Sequence, residues 1–201
     1  MYTIKGETIS TLEITKSTFI TYLKNIDNVD DAKKYVESIK EEHPDATHHV
    51  VAMTIGKTGE YGQANDDGEP SGTAGLPVLD VFRKNDITNF VCVVVRYFGG
   101  IKLGAGGLVR AYSKSASTAL KQLERIPIIE YKHIKITFDY NFLNILENRL
   151  SEYNIIHKTF TSSVSFILKI PHDKVESVIS QLIAITNNLI EIRLLDLDNE
   201  E

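Results

Sequence analysis

One stretch constrains the fold of this chain more than any other: Val91–Tyr112, VCVVVRYFGGIKLGAGGLVRAY. Val91, Cys92, Val93, Val94 and Val95 are consecutive β-formers, which predicts a strand covered on both faces. Gly99, Gly100, Gly104, Gly106 and Gly107 then crowd the outgoing loop. After Gly107, the residues Leu108, Ala111, Tyr112, Ser115, Ala119 and Leu123 share one face of a helix. A strand, a glycine loop and a helix start in this order bring backbone N–H groups close to an anion. The helix dipole favours negative charge at the same place.

Charge points the same way. From Arg96 to Arg125 six bases (Arg96, Lys102, Arg110, Lys114, Lys121, Arg125) face Glu124 alone, a net +5, on a chain whose net charge is −5. A local basic surface on an acidic protein suits phosphate recognition better than general coating of a polyanion. Glycines serving a tight turn, with the bases solvating a helix face, are the plainer alternative. The loop misses both standard nucleotide fingerprints. Gly99 and Gly104 have P-loop spacing, but Ala105-Gly106 stands where Lys and Ser/Thr belong, and Val109 replaces the third glycine of a dinucleotide motif.

A chain of 201 residues allows one large domain or two small ones. No apolar run reaches bilayer length and the N-terminus does not read as a signal peptide, so a cytoplasmic protein without membrane contact is expected. The single Cys92 lies among valines and reads as a small core residue, which excludes a disulfide framework.

Along the chain, Thr8–Lys24 alternates as two strands or one bent one, and a helix capped by Asn28 or Asp30 runs to about His43, before Pro44. Ala46–Ile55 is the next strand and Gly56–Gly62 a loop. Asn65–Gly75, NDDGEPSGTAG, resists regular structure until Thr73 or later, and a short helix follows with Pro77 in its first turn. The long helix is expected to end near Ile126–Pro127. Domains are assigned to residues 1–129 and 130–201. From Tyr131 the pattern reads strand 131–139, helix 141–153, strands 155–161 and 163–170, helix 172–186 and strand 189–197. That is βαββαβ, the ferredoxin-like plait, and the fold class is α+β. The second domain has seven bases against eleven acids from Glu130 on. It offers a polyanion little, and the tail Asp196–Glu201 reads as a solvated acidic end.

Asn65–Gly75 carries the other candidate chemistry. Ser71 misses the Gly-x-Ser-x-Gly frame of a nucleophile elbow by one position. His48, His49, Asp66, Asp67 and Glu69 are ligand types, and a set of His48, Asp66, Asp67 and Glu69 would suit Mg²⁺ or Mn²⁺. Adjacent His48 and His49 on a strand point to opposite faces, so only one can join a given site. The favoured alternative has Asp66, Asp67 and Glu69 ordering their loop by accepting backbone hydrogen bonds or pairing with Arg96. No metal or other cofactor is then required.

The motifs NDDGEPSGTAGLPVLDVF (Asn65–Phe82), with Ser71 and Thr73 in its loop, and VVVRYFGGIKLGAGGLVRAYS (Val93–Ser113) resemble the signature of the IMPACT family, including bacterial YigZ-like proteins. DATHHVVA (Asp45–Ala52) is similar to that family's A-x-H-x-C-x-A strand, with Val50 where Cys is common. Asn65 stands where Ser is usual before the Asp pair. The resemblance implies an N-terminal α+β domain like that of a small-ribosomal-subunit protein and a C-terminal plait like the last domain of elongation factor G. Eukaryotic relatives regulate translation through partner proteins in the amino-acid-starvation response, and nucleic-acid binding by bacterial members is inferred mainly from fold.

The expected function is therefore a non-enzymatic, translation-associated regulator that contacts RNA or the ribosome, with no DNA sequence readout. Arg96, Lys102, Arg110 and Lys114 would meet phosphates, and Gly99, Gly100, Gly104, Gly106 and Gly107 would admit the backbone. Tyr97 and Phe98 would stack a base or pack inward. Four phosphate contacts to a single strand predict a log–log salt slope of roughly −3. A protein-interaction module of translational control or stress response is one alternative. A metal-dependent or phosphate-handling enzyme at the acidic loop is the other.

Overall fold

The computed structural model describes residues 1–195. It divides into two compact units, with the division between Ile128 and Ile129. In the first unit the strands are β1 (Tyr2–Ile4), β2 (Glu7–Ile14), β3 (Ser17–Asn25), β4 (His48–Ile55), β5 (Tyr61–Asn65), β6 (Phe90–Tyr97) and β7 (Arg125–Pro127). Its helices are α1 (Val29–Glu42), α2 (Gly75–Arg83) and α3 (Gly104–Leu120).

The main sheet runs β2-β3-β6-β4-β5, antiparallel throughout. β6 is its central strand because every residue from Phe90 to Arg96 is buried. Phe90, Cys92 and Val94 face α2 and α3, while Val91, Val93 and Val95 face α1. A continuous valine run can only lie in a sheet covered on both sides. Cys92 is fully buried, and burial pushes its thiol far above its ordinary range, so it behaves as an apolar core residue.

Three expectations need correction. The long helix stops at Leu120, and Arg125–Pro127 instead pairs with Tyr2–Ile4. Pro127 disfavours helical backbone at Ile126, and Ile4, 1% exposed, anchors the opposite strand in the core. The helix also begins at Gly104 rather than beyond Gly107. Gly56–Gly62 is a loop only as far as Glu60, because Tyr61 and Gly62 open β5. That strand is almost wholly exposed and so carries no apolar pattern.

The second unit contains β8 (Tyr131–Phe138), α4 (Leu143–Arg149), β9 (Asn154–Phe160), β10 (Val164–Pro171), α5 (Val175–Ile185) and β11 (Ile190–Leu195). Its antiparallel sheet has the order β11-β8-β10-β9, and its core includes Ile134, Ile136, Phe166, Leu168, Leu146 and Leu182. This is the ferredoxin-like plait. The helix expected over 141–153 is shorter, a 3-10 turn at Tyr140–Phe142 leading into α4. The acidic tail and the last positions of the expected 189–197 strand lie outside the described residues. Among those described, no helix is long and apolar enough to cross a membrane.

On the α1 side of the first unit, His43 bridges two phenols, with Nε2 2.6 Å from the Tyr22 hydroxyl and Nδ1 2.8 Å from that of Tyr97. Burial, then the hydrogen bond to Glu42, pushes Tyr22 up to about 12, and burial pushes Tyr35 to a similar value. Both lie above the ordinary 10.0, so folding favours the neutral phenols. Their stabilisation is complete below pH ~10 and is lost as pH rises towards ~12. A series of thermal melts should show the midpoint falling in that interval, with a shallower fall in Tyr22→Phe.

Candidate functional site

The loop between β5 and α2 is built on carboxylates that accept backbone hydrogen bonds. Asp67 (φ +45°) and Gly68 (φ +85°) occupy the left-handed centre of a turn closed by Glu69 N–H to the Asp66 carbonyl, 3.0 Å. The Asp66 carboxylate accepts the N–H groups of Gly72 (2.7 Å), Ala74 (3.0 Å) and Gly75 (2.8 Å). Burial alone would raise its pKa, but these three donors outweigh that and hold the carboxyl below its ordinary value. One Asp67 oxygen accepts the His49 N–H at 2.6 Å. Thr73 is buried and donates to the Pro70 carbonyl, and Ser71 is exposed.

The turn aims Glu69 inward. Its Oε1 accepts from Arg96 Nη1 at 2.5 Å and from the Tyr112 hydroxyl at 2.7 Å. Both partners of this ion pair are about 95% buried in their side chains. Arg96 Nη2 reaches Ser17 Oγ at 3.4 Å, and the guanidinium lies between the rings of Phe19 and Phe98, 5.4 and 5.5 Å from their centroids. Burial, then the bond to Glu69, pushes the Tyr112 phenol far above its ordinary range, so it stays a donor. Arg96 is therefore an internal strut. Its expected role as a phosphate contact is corrected by its burial and its pairing with Glu69.

The glycines divide in the same way. A Cβ on Gly99 would lie 1.8 Å from the Lys16 carbonyl oxygen at the β2–β3 turn, and its N–H already donates to Ser17 Oγ. Gly99 thus serves close packing and has no amide to offer a ligand. Gly107 packs on Leu103. Gly100, Gly104 and Gly106 face open space, with Gly100 and Gly104 at φ +83° and +69°.

Above the buried pair opens a cleft of about 390 Å³. Glu69, Arg96 and His48 form its polar side, while Phe98, Leu103 and the first turn of α3 form the rest. Among the described residues no side chain caps that helix, and no acid lies in its first turn, which leaves its opening N–H groups and positive dipole end towards the cleft. Lys102 stands at the rim, and a neighbouring groove runs past Lys102, Arg110 and Lys114 to Thr15. All three cations are exposed, and none forms an ion pair among the described residues. Phe98 is 45% exposed, whereas Tyr97 hydrogen-bonds His43 on the α1 side.

The ligand set His48, Asp66, Asp67, Glu69 does not converge. Three amides occupy Asp66, Asp67 turns to the His49 side, and only His48 and Glu69 reach the cleft, with Nε2 and Oε2 3.8 Å apart. No group of three metal-ligating side chains occurs among the described residues. Sequence reasoning missed two members of the site. Tyr112 reads as plain helix core, and Ser17 is a small residue 79 positions from Arg96 with no motif around it.

These features define a two-domain α+β protein with a buried ion pair beneath a basic-rimmed cleft. The chain belongs to the IMPACT family. The Impact N-terminal domain matches residues 15–120, and a domain of unknown function, DUF1949, matches residues 136–188. The chain is 37% identical over 197 residues to IMPACT family member YvyE of Bacillus subtilis, covering 96% of this chain and 89% of that one. It is 40% identical over 177 residues to IMPACT family member YigZ of Escherichia coli, covering 85% of each. A crystal structure described as that of a hypothetical protein aligns with TM-score 0.63 and 34% identity, over 98% of this chain and 97% of the other.

Asp66→Ala removes the acceptor of three loop amides and should cost about 2 kcal/mol in urea unfolding, at roughly 1 kcal/mol or less for each partly exposed bond. Because its pKa is lowered in the fold, the stabilisation Asp66 gives is present above its ordinary value near pH 4 and lost as pH falls below it. The gap between wild type and Asp66→Ala should therefore narrow in acid.

Proposed function

We propose that this protein is a non-enzymatic, translation-associated regulator that contacts RNA through the α3 face. The carrying observation is that three exposed cations, Lys102 before α3 and Arg110 and Lys114 along it, line one groove and form no ion pair among the described residues, on a chain of net charge −5. Cations spaced along a groove, the first of them next to the opening N–H groups of a helix, suit a row of phosphates. Phe98 at the cleft mouth offers a stacking face for an unpaired base. The family's translational role in eukaryotes supports the setting. Phosphate contacts of this kind position a strand without reading its sequence.

Removing Arg96 from the contact set changes the quantitative expectation. Three phosphates on single-stranded RNA give a slope of log K against log salt of roughly −2. Fluorescence anisotropy on a labelled oligoribonucleotide should give that value, with Lys114→Ala shallower by about 0.7. A flat response would contradict the proposal.

A further inference from the structure

We infer that the open sheet face of the second domain is a binding surface for single-stranded RNA. It is a site separate from the α3 face and takes from the preceding reading only the choice of RNA as partner.

Alternation along the strands sorts this sheet into two faces. Ile134, Ile136, Phe166, Leu168 and Ile192 point to the helix side and share a core with α4 and α5. The residues between them point the other way and reach solvent. Tyr131, Lys135, His157 and Arg193 are exposed, and His133 and Lys169 are half-buried. Strand pairing sets these side chains in rows. Arg193, Lys135, Ile167 and His157 lie side by side across all four strands, and His133 lies beside Lys169 in the next row.

The fold separates charges that the domain's net balance conceals. From Glu130 to Leu195 seven bases meet seven acids, and the other four acids of the domain fall in Asp196–Glu201. Five of those seven bases lie in strands, but only one of the acids, Glu191, does. Lys158 turns to the helix side, where it pairs with Glu147, and Glu191 pairs with Arg193 beside it on β11. Lys135 and Lys169 form no ion pair among the described residues. Like charges directly opposite each other, as Lys135 and Arg193 are, cost an antiparallel pair stability. An anion lying across the row would offset that cost.

Cations alternating with rings suit an unpaired nucleic-acid strand, whose phosphates and bases each find a partner. Tyr131, His133 and His157 supply rings on which bases can stack, and Lys169 Nζ stands 4.7 Å from the Tyr131 ring centroid. Four strands about 4.8 Å apart make a face roughly 15 Å across, room for a few nucleotides laid flat. A flat face cannot enter the groove of a duplex, so the strand must be single. An acidic peptide would meet the cations but leave the rings unused.

Lysine acetylation read by mass spectrometry, on the full chain with and without a single-stranded oligoribonucleotide, locates the strand. RNA should shield Lys135 and Lys169 while Lys174, at the start of α5, stays as reactive as before. In a variant with Lys102, Arg110 and Lys114 all changed to alanine, anisotropy should still detect binding. Its slope of log K against log salt should be roughly −2, from Lys135, Lys169 and Arg193. Adding Lys135→Ala and Lys169→Ala should bring the slope to roughly −0.7, whereas adding Lys174→Ala should leave it unchanged. Shielding of Lys102 and Lys114 with Lys135 and Lys169 still reactive would overturn this surface and leave the α3 face standing. Shielding of Lys135 and Lys169 alone would uphold it and remove the α3 face instead. Equal shielding by polyglutamate would overturn the assignment to RNA, and shielding of no lysine would overturn both readings.

Discussion

The buried ion pair between Arg96 and Glu69 is the interaction on which the first domain's functional face depends. Placing two charges in an interior costs several kcal/mol per ion, so such a pair persists only with excellent geometry and further hydrogen bonds. Here the carboxylate takes a second bond from Tyr112 on α3, and the guanidinium reaches Ser17 on β3 and lies between two aromatic rings. The pair thereby ties four segments together: the acidic loop, the central strand, the long helix and the start of β3. Removing one partner would strand a charge in the core, a loss of the order of 3–5 kcal/mol.

The same contacts explain the polarity of the cleft. Because Arg96 and Tyr112 both bond Oε1, Oε2 is left facing the cavity beside His48. Asp67 contributes twice from the other side of the turn, its carbonyl fixing the His48 ring and its carboxylate holding the backbone of His49. Arg96 in the lining is paired with Glu69, and the exposed positive charge stands at the rim, where Lys102 and the start of α3 lie. The site thus has a carboxylate oxygen and an imidazole at depth and a cation at its edge.

Much of the fold was legible because apolar periodicity reports burial. The valine run at 91–95 gave a strand covered on both faces, and the alternation after Tyr131 gave the plait. The segments misjudged were those without such a signal: β5 is exposed along its length, and β1 and β7 are three residues each. In the site, the acidic loop was legible as hydrogen bonding because Asp, Gly and Pro restrict their own backbone. Pairing of that loop with Arg96 was also anticipated, and Glu69 makes it, but the burial of Arg96 was not. A surface arginine and a buried, paired one look alike in sequence, and the choice depends on strand order. Gly99 misled for a related reason, since a glycine that admits a ligand and one that admits the Lys16 backbone are written with one letter.

The most direct test of this account is a double-mutant cycle on Glu69→Gln and Arg96→Met, read by urea unfolding of both single variants and the pair. Each single change should destabilise strongly, and the double variant should be less damaged than their sum, with a coupling energy of about 2–3 kcal/mol. Additive losses, with coupling below about 0.5 kcal/mol, would contradict the claim that this pair holds the site together.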